Sequence, residues 1–310
     1  MTFIIFQALA IPFVLFSGWI VGGTQASPSD ELRLAIAAFS LLLGFGFWLA
    51  VFPFHSWVPQ FSQIIKPYYS GFIFSLLPVV ILLIVVEYVS SLTWLRDGSF
   101  VGPVLQTVGI IMIVSSGIWA SVEKHLPRLL AYSVLYETGF ALLLISMRSE
   151  YGSLLLSHSF IPRIVALMAI SFSLSILNQS GLPLSFEGVR GLIKRFPFSA
   201  IGLLAASLSI IGVPLFAGFP VKFEVLQNLG TISSKPVLWI LAGVAGFTIA
   251  MLRLLKSIAE PSEGKFEINE TISQRLILVI DIVLLGIMGL FPNFSPNLFS
   301  GLLMTIPGLK

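Results

Sequence analysis

The sequence predicts an all-α, polytopic membrane protein: a bundle of about nine transmembrane helices in a single membrane domain. Three observations carry this reading. Apolar residues fill 56% of the 310 positions, charged residues only 10%, and the mean hydropathy is +1.00. In water a chain of that size would leave much of this surface exposed, whereas lipid solvates it. The apolar residues also come in unbroken runs close to the roughly 20 residues of helix that cross hydrocarbon. They do not alternate with polar ones, which argues against a transmembrane β-barrel.

The spans fall near residues 3–22, 33–53, 70–92, 103–122, 129–147, 152–178, 198–219, 237–257 and 274–291. The first has no basic residue ahead of it. Gly23-Thr24-Gln25-Ala26-Ser27 behind it could imitate a cleavage site, so a signal peptide is the lesser alternative. The second and seventh spans end in Pro/Gly-rich stretches. The third follows Lys66 and ends near Glu87, which reads as interfacial. Lys124 and Arg128 separate the fourth from the fifth, and the sixth contains Pro162 and Arg163. Arg253 and Lys256 close the eighth. The longest polar stretch, residues 260–274, carries Glu260, Glu263, Lys265, Glu267 and Glu270 and reads as an exposed connector rather than a soluble domain. The ninth span contains Asp281, and residues 296–306 read as a short amphipathic piece on the membrane surface.

Basic residues set the orientation. With the N-terminus cytoplasmic, ten lie in cytoplasmic connectors and six on the far side, with Arg163 inside a span. An N-in, C-out topology follows. The net charge of +3 is too small for a nucleic-acid surface. The absence of cysteine excludes disulfides, thiolate metal sites and a cysteine nucleophile. No histidine spacing suits a metal, and no catalytic triad or phosphate-binding loop is present. The sequence therefore predicts no cofactor, no bound metal and no catalytic residue of its own.

Two spans are expected to be broken, one between Pro53 and Pro59 and one between Pro214 and Pro220. Proline removes a backbone donor and clashes with the preceding turn. Backbone groups freed at membrane depth need protein or water partners. The breaks lie five spans apart, and an odd offset reverses their orientation, as an inverted repeat requires.

Charges at bilayer depth cost a few kcal/mol or more each, so they usually face a polar interior. Glu137 lies about two turns into the fifth span; it reads either as a functional carboxyl or as one near the interface. Arg163 lies roughly 16 Å into the sixth span, close to mid-membrane. Arginine holds its proton, so it suits a fixed countercharge rather than a carrier. Lys222 follows the second break, and lysine can lose its proton on desolvation, which suits a reversible proton site. Glu224 is two residues on and does not share its helix face. Asp281 is mid-span and reads as a supporting acid, as a contact to a partner subunit, or as a protonated acid facing another helix, and His55 sits at the first break as a candidate accessory group.

Four segments together carry a family resemblance. Pro53-Phe54-His55-Ser56-Trp57-Val58-Pro59 resembles the proline–apolar–histidine–x–tryptophan–apolar–proline signature of the antiporter-like membrane subunits. These occur in respiratory complex I, in membrane-bound hydrogenases and in Mrp-type cation/proton antiporters. Pro127-Arg128-Leu129-Leu130-Ala131-Tyr132-Ser133 is similar to a second family segment, with Pro127 in place of a lysine. Gly188-Val189-Arg190-Gly191-Leu192 and the stretch 212–224 match two more, in order. The resemblance covers roughly residues 30–260 and implies two inverted five-helix repeats. Residues 1–95 would be the remainder of the first repeat, 101–257 the second, and 258–310 a connector and final helix. The family's first five helices have no counterpart in this sequence.

The departures bear on function. Trp48 stands nine residues before the signature tryptophan, where the family has a buried lysine. Leu77, Pro78 and Val79 stand near a second lysine position, and Gln60 replaces an acid. In the second repeat, Glu137 falls where histidine is common, Arg163 where the family has a titratable histidine or lysine, and Lys222 on the broken-helix lysine. The resemblance implies a subunit of a complex I-like or hydrogenase-type energy-converting assembly in an energy-transducing membrane. It would contact other membrane subunits and the bilayer and handle protons, with sodium as the other candidate ion. Lys222 would exchange protons, Arg163 would be a fixed charge and Glu137 a link to a neighbour. The alternatives are a structural, non-conducting membrane-arm subunit and an Mrp-type sodium/proton antiporter subunit.

Overall fold

A computed structural model describes residues 2–22, 31–261 and 266–292. Among the described residues the chain is helical, without strands beyond one isolated bridge between His125 and Ser185. The order is α1 (Thr2–Val21), α2 (Glu31–Trp48), α3 (Trp57–Ile64), α4 (Pro67–Ser91) and a short α5 (Thr93–Arg96). Then come α6 (Val101–Val122), α7 (Leu126–Ser146), α8 (Glu150–Gln179), α9 (Pro197–Ile211), α10 (Phe219–Ile232), α11 (Ser234–Ala259) and α12 (Ile272–Leu290).

Seven of these are long and apolar enough to cross a membrane, and α2 and α9 supply two shorter apolar helices. They coincide with the nine expected spans. The two short ones are those interrupted by proline and glycine. The amphipathic piece expected at 296–306 lies outside the described residues.

The bundle is organised around α7. Every residue from Leu129 to Ile145 is buried, as expected of a helix apolar all round. The helices α3, α4, α6, α8 and α10 pack against it. Close approach comes from small residues, the usual device where lipid competes for apolar surfaces. Gly109 and Gly139 join α6 to α7, and a methyl group on either would press on the other's carbonyl. Gly117 and Gly243 join α6 to α11, with no room for a side chain on either. Gly71 on α4 leaves space for Ser171 on α8, whose hydroxyl donates to the Pro67 carbonyl at 2.5 Å.

At one edge α1 lies along α2, and the Trp48 indole Nε1 donates to the Gln7 carbonyl at 3.2 Å. The position at which the resemblance implies a buried lysine thus serves in this chain to join two helices. Val79, near the second lysine position, is buried in the apolar core.

One expectation is corrected. The segment 260–274 is not simply an exposed connector. The amides of Glu267 and Asn269 donate to the carbonyls of Lys194 and Arg195 at 2.9 and 3.1 Å. Glu270 is 2% exposed, and its carboxylate accepts from the Ser199 amide at 3.1 Å. The first turn of a helix leaves its amides without partners and carries partial positive charge. Glu270 therefore completes the start of α9 from a distant segment. Thr271 and Gln274 then form a reciprocal capping box that opens α12.

Candidate functional site: a buried charge cluster at the second helix break

The site begins with the failure of a helix. α9 ends where Gly212 adopts φ +85°, the left-handed conformation that glycine accepts without a Cβ clash. Leu215 follows at φ +81°, a region leucine rarely enters. The chain turns through Pro214 and resumes as α10 at Phe219, with Pro220 in its first turn. The Ser209 hydroxyl spans the break by accepting from the Gly218 amide at 3.2 Å. On the outside, Gly289 of α12 lies directly against the backbone of Leu215 and Phe216.

Lys222 leaves the first turn of α10 and is 6% exposed. Its ammonium meets the Glu137 carboxylate of α7 at 2.5 Å and the Ser209 carbonyl at 3.4 Å. The rings of Tyr136 and Phe140, one turn apart on α7, lie 5.7 and 5.5 Å from it. Arg163 on α8 is 3% exposed and donates to the Thr138 hydroxyl at 2.8 Å. Its Nε and Nη1 have no protein partner. A cavity of about 20 Å³ lies between these groups, lined among others by Glu137, Arg163, Ser159, Ser209 and Lys222. That is room for about one water-sized particle.

Among the described residues the buried charged side chains are Glu137, Arg163, Lys222 and Glu270. Three of them form this cluster. The structure thus brings together Glu137 and Arg163, from the fifth and sixth expected spans, and Lys222, which follows the break that ends the seventh. The carboxylate of Glu137 is engaged inside the chain by Lys222. Glu224 stands apart and accepts from the Tyr151 hydroxyl at 2.7 Å near the surface. His55 stacks on Phe52 at the first break, ring centroids 5.4 Å apart, away from the cluster. Asp281 is half-buried in α12 and does not line the cavity. Sequence reasoning missed Thr138, the Ser209 carbonyl and the two aromatic rings. Tyr136 and Phe140 were within its reach, since both lie one turn or less from Glu137 on one helix.

An all-helical bundle with membrane-length helices and a buried ion pair at a discontinuous helix defines a class of polytopic membrane protein. Residues 13–250 match the transmembrane family described as NADH:quinone oxidoreductase/Mrp antiporter, and the chain belongs to that family. It is 26% identical over 318 residues to NADH-quinone oxidoreductase subunit N 2 of Acidobacterium capsulatum, covering 94% of this chain and 64% of the relative. It is 28% identical over 306 residues to NADH-quinone oxidoreductase subunit 14 of Thermus thermophilus, covering 95% and 67%. The chain thus spans about two thirds of the length of these curated relatives. In fold it is similar to a chain of the Mrp complex from Dietzia sp. DQ12-45-1b, with a TM-score of 0.84 at 15% identity, covering 99% of this chain and 69% of that one. A chain of the archaeal membrane-bound sulfane sulfur reductase gives a TM-score of 0.79 at 18% identity, covering 96% and 63%.

Proposed function

We propose that this chain is a membrane subunit of a complex I-like energy-converting assembly, and that Glu137, Lys222 and Arg163 are a retained part of its charge-moving axis. The observation that carries the proposal is the buried Lys222–Glu137 pair beside a helix break. A pair of opposite titratable charges in a low-dielectric site can exchange a proton with small movements of its side chains. The break supplies the freedom, because α10 is not held in line with α9 by a continuous hydrogen-bond ladder.

In this reading Lys222 is the group that takes up and releases the proton. Glu137 stabilises its charged form and loses its directly bonded countercharge whenever Lys222 is neutral, with the Arg163 charge remaining nearby. Arg163 keeps its charge throughout and fixes the local field. Electron transfer would take place in other subunits, and the ion moved would be the proton.

A second reading is supported by the small size of the cavity beside the cluster, about 20 Å³. A packed interior suits a subunit that insulates and joins its neighbours without conducting. Lys222→Ala, measured in the native assembly, separates the two. A conducting role predicts a several-fold loss of proton movement per electron, with electron transfer less affected. Unchanged pumping per electron would sink the conducting role.

A further inference from the structure

We infer that the cavity beside Arg163 holds one small monovalent anion of halide size, which balances the charge of the buried cluster. The inference deepens the reading of this site as an ionic cluster, but it does not depend on proton movement.

The first argument is charge. Lys222 and Arg163 are both buried cations, and Glu137 is the single acid between them. Glu137 is taken by Lys222 at 2.5 Å, while no carboxylate lies within salt-bridge distance of Arg163 among the described residues. The nearest other acids on the surrounding helices are committed or remote. Glu224 of α10 faces Tyr151 near the surface, and Asp281, on α12 which packs on both α8 and α9, does not line the cavity and makes no ion pair with Arg163 among the described residues. While Lys222 is protonated the cluster therefore carries one uncompensated positive charge, and arginine does not relieve it by releasing a proton. Burying such a charge unpaired costs several kcal/mol.

The second argument is hydrogen-bonding supply. Arg163 turns only Nη2 to protein acceptors, Thr138 Oγ1 at 2.8 Å and the Val134 carbonyl at 3.5 Å. Its Nε and Nη1 are buried donors without partners. Ser209 accepts through its hydroxyl from Gly218, so its own proton remains to be given. Lys222 has three N–H groups and two protein acceptors. The groups around the cavity thus hold a surplus of donors. A water satisfies such a surplus only by also finding acceptors for its two protons. An anion accepts from all sides and supplies the missing negative charge.

The third argument is size. A cavity of about 20 Å³ has room for about one water-sized particle, which suits a single small ion better than a carboxylate or a phosphate.

The test uses the native assembly in lipid nanodiscs, with chloride replaced by gluconate at constant ionic strength. Chloride and bromide should raise the thermal midpoint of this subunit saturably, by about 3 °C for a ligand that binds only the folded state. Arg163→Gln should abolish the halide dependence. Ser209→Ala should weaken halide binding several-fold while leaving the charges in place, and so serves if the arginine variant does not fold. Crystals grown in bromide should show one anomalous peak between Arg163 and Ser209. Halide-independent stability of the wild type, or a water in place of the bromide peak, would overturn the proposal. A change in proton pumping with halide intact would instead bear on the proton role alone.

Discussion

At the scale of single residues, the energetics of this protein turn on a carboxylate and an ammonium held 2.5 Å apart where lipid surrounds the bundle. A buried pair gives little net stability over an apolar alternative, but removing one member leaves a bare charge. Glu137→Gln should therefore destabilise the chain by about 3–5 kcal/mol. Glu137→Gln combined with Lys222→Met should recover much of that loss. The check is a double-mutant cycle on thermal or denaturant unfolding in detergent, in which additive losses would contradict a direct pair. The sequence exposed each of these charges separately, because a charge in an apolar run is conspicuous. It could not expose their pairing, since Glu137 and Lys222 are 85 residues apart and only the packing of α10 on α7 joins them. The same limit hid the role of Trp48. As a replacement for a lysine it reads as a loss, whereas its indole is a working contact between α2 and α1.

At the scale of elements, the helices were legible and some of their ends were not. Runs of apolar residues fix the spans because lipid tolerates nothing else, and proline with glycine marks both breaks in the chain itself. Segment 260–274 misleads for an equally physical reason. A run rich in glutamate looks like a solvated connector unless one residue finds an electropositive partner. Glu270 finds the unpaired amides at the start of α9. Glu270→Ala should cost about 1 kcal/mol, the usual worth of a helix cap. It should also speed amide hydrogen exchange at Ser199 and its neighbours more than in α7. Uniform exchange across both helices would show that the carboxylate does not secure that end.

At the scale of the whole molecule, the two halves differ in chemistry more than in architecture. Both contain a broken span, yet all the buried charged side chains among the described residues lie beyond the first break. The first half is held by aromatic contacts such as Phe47 on Phe54 and Phe61 on Phe74. The orientation predicted from the basic residues can be checked directly, because the natural chain has no cysteine. Lys124→Cys should react with an impermeant thiol reagent only from the cytoplasmic side, and Arg96→Cys only from the opposite side. Reversed labelling would turn the N-in, C-out topology upside down.

The contact of Gly289 with the kinked backbone at Leu215 and Phe216 has a mechanical consequence. With no side chain to act as a cushion, α12 rides on the bend like a finger on a lever. A shift of α10 that pulls its lysine away from the carboxylate and carries the bend with it would press on α12 through Gly289. A label on α12 would therefore report the strokes of a group it never touches.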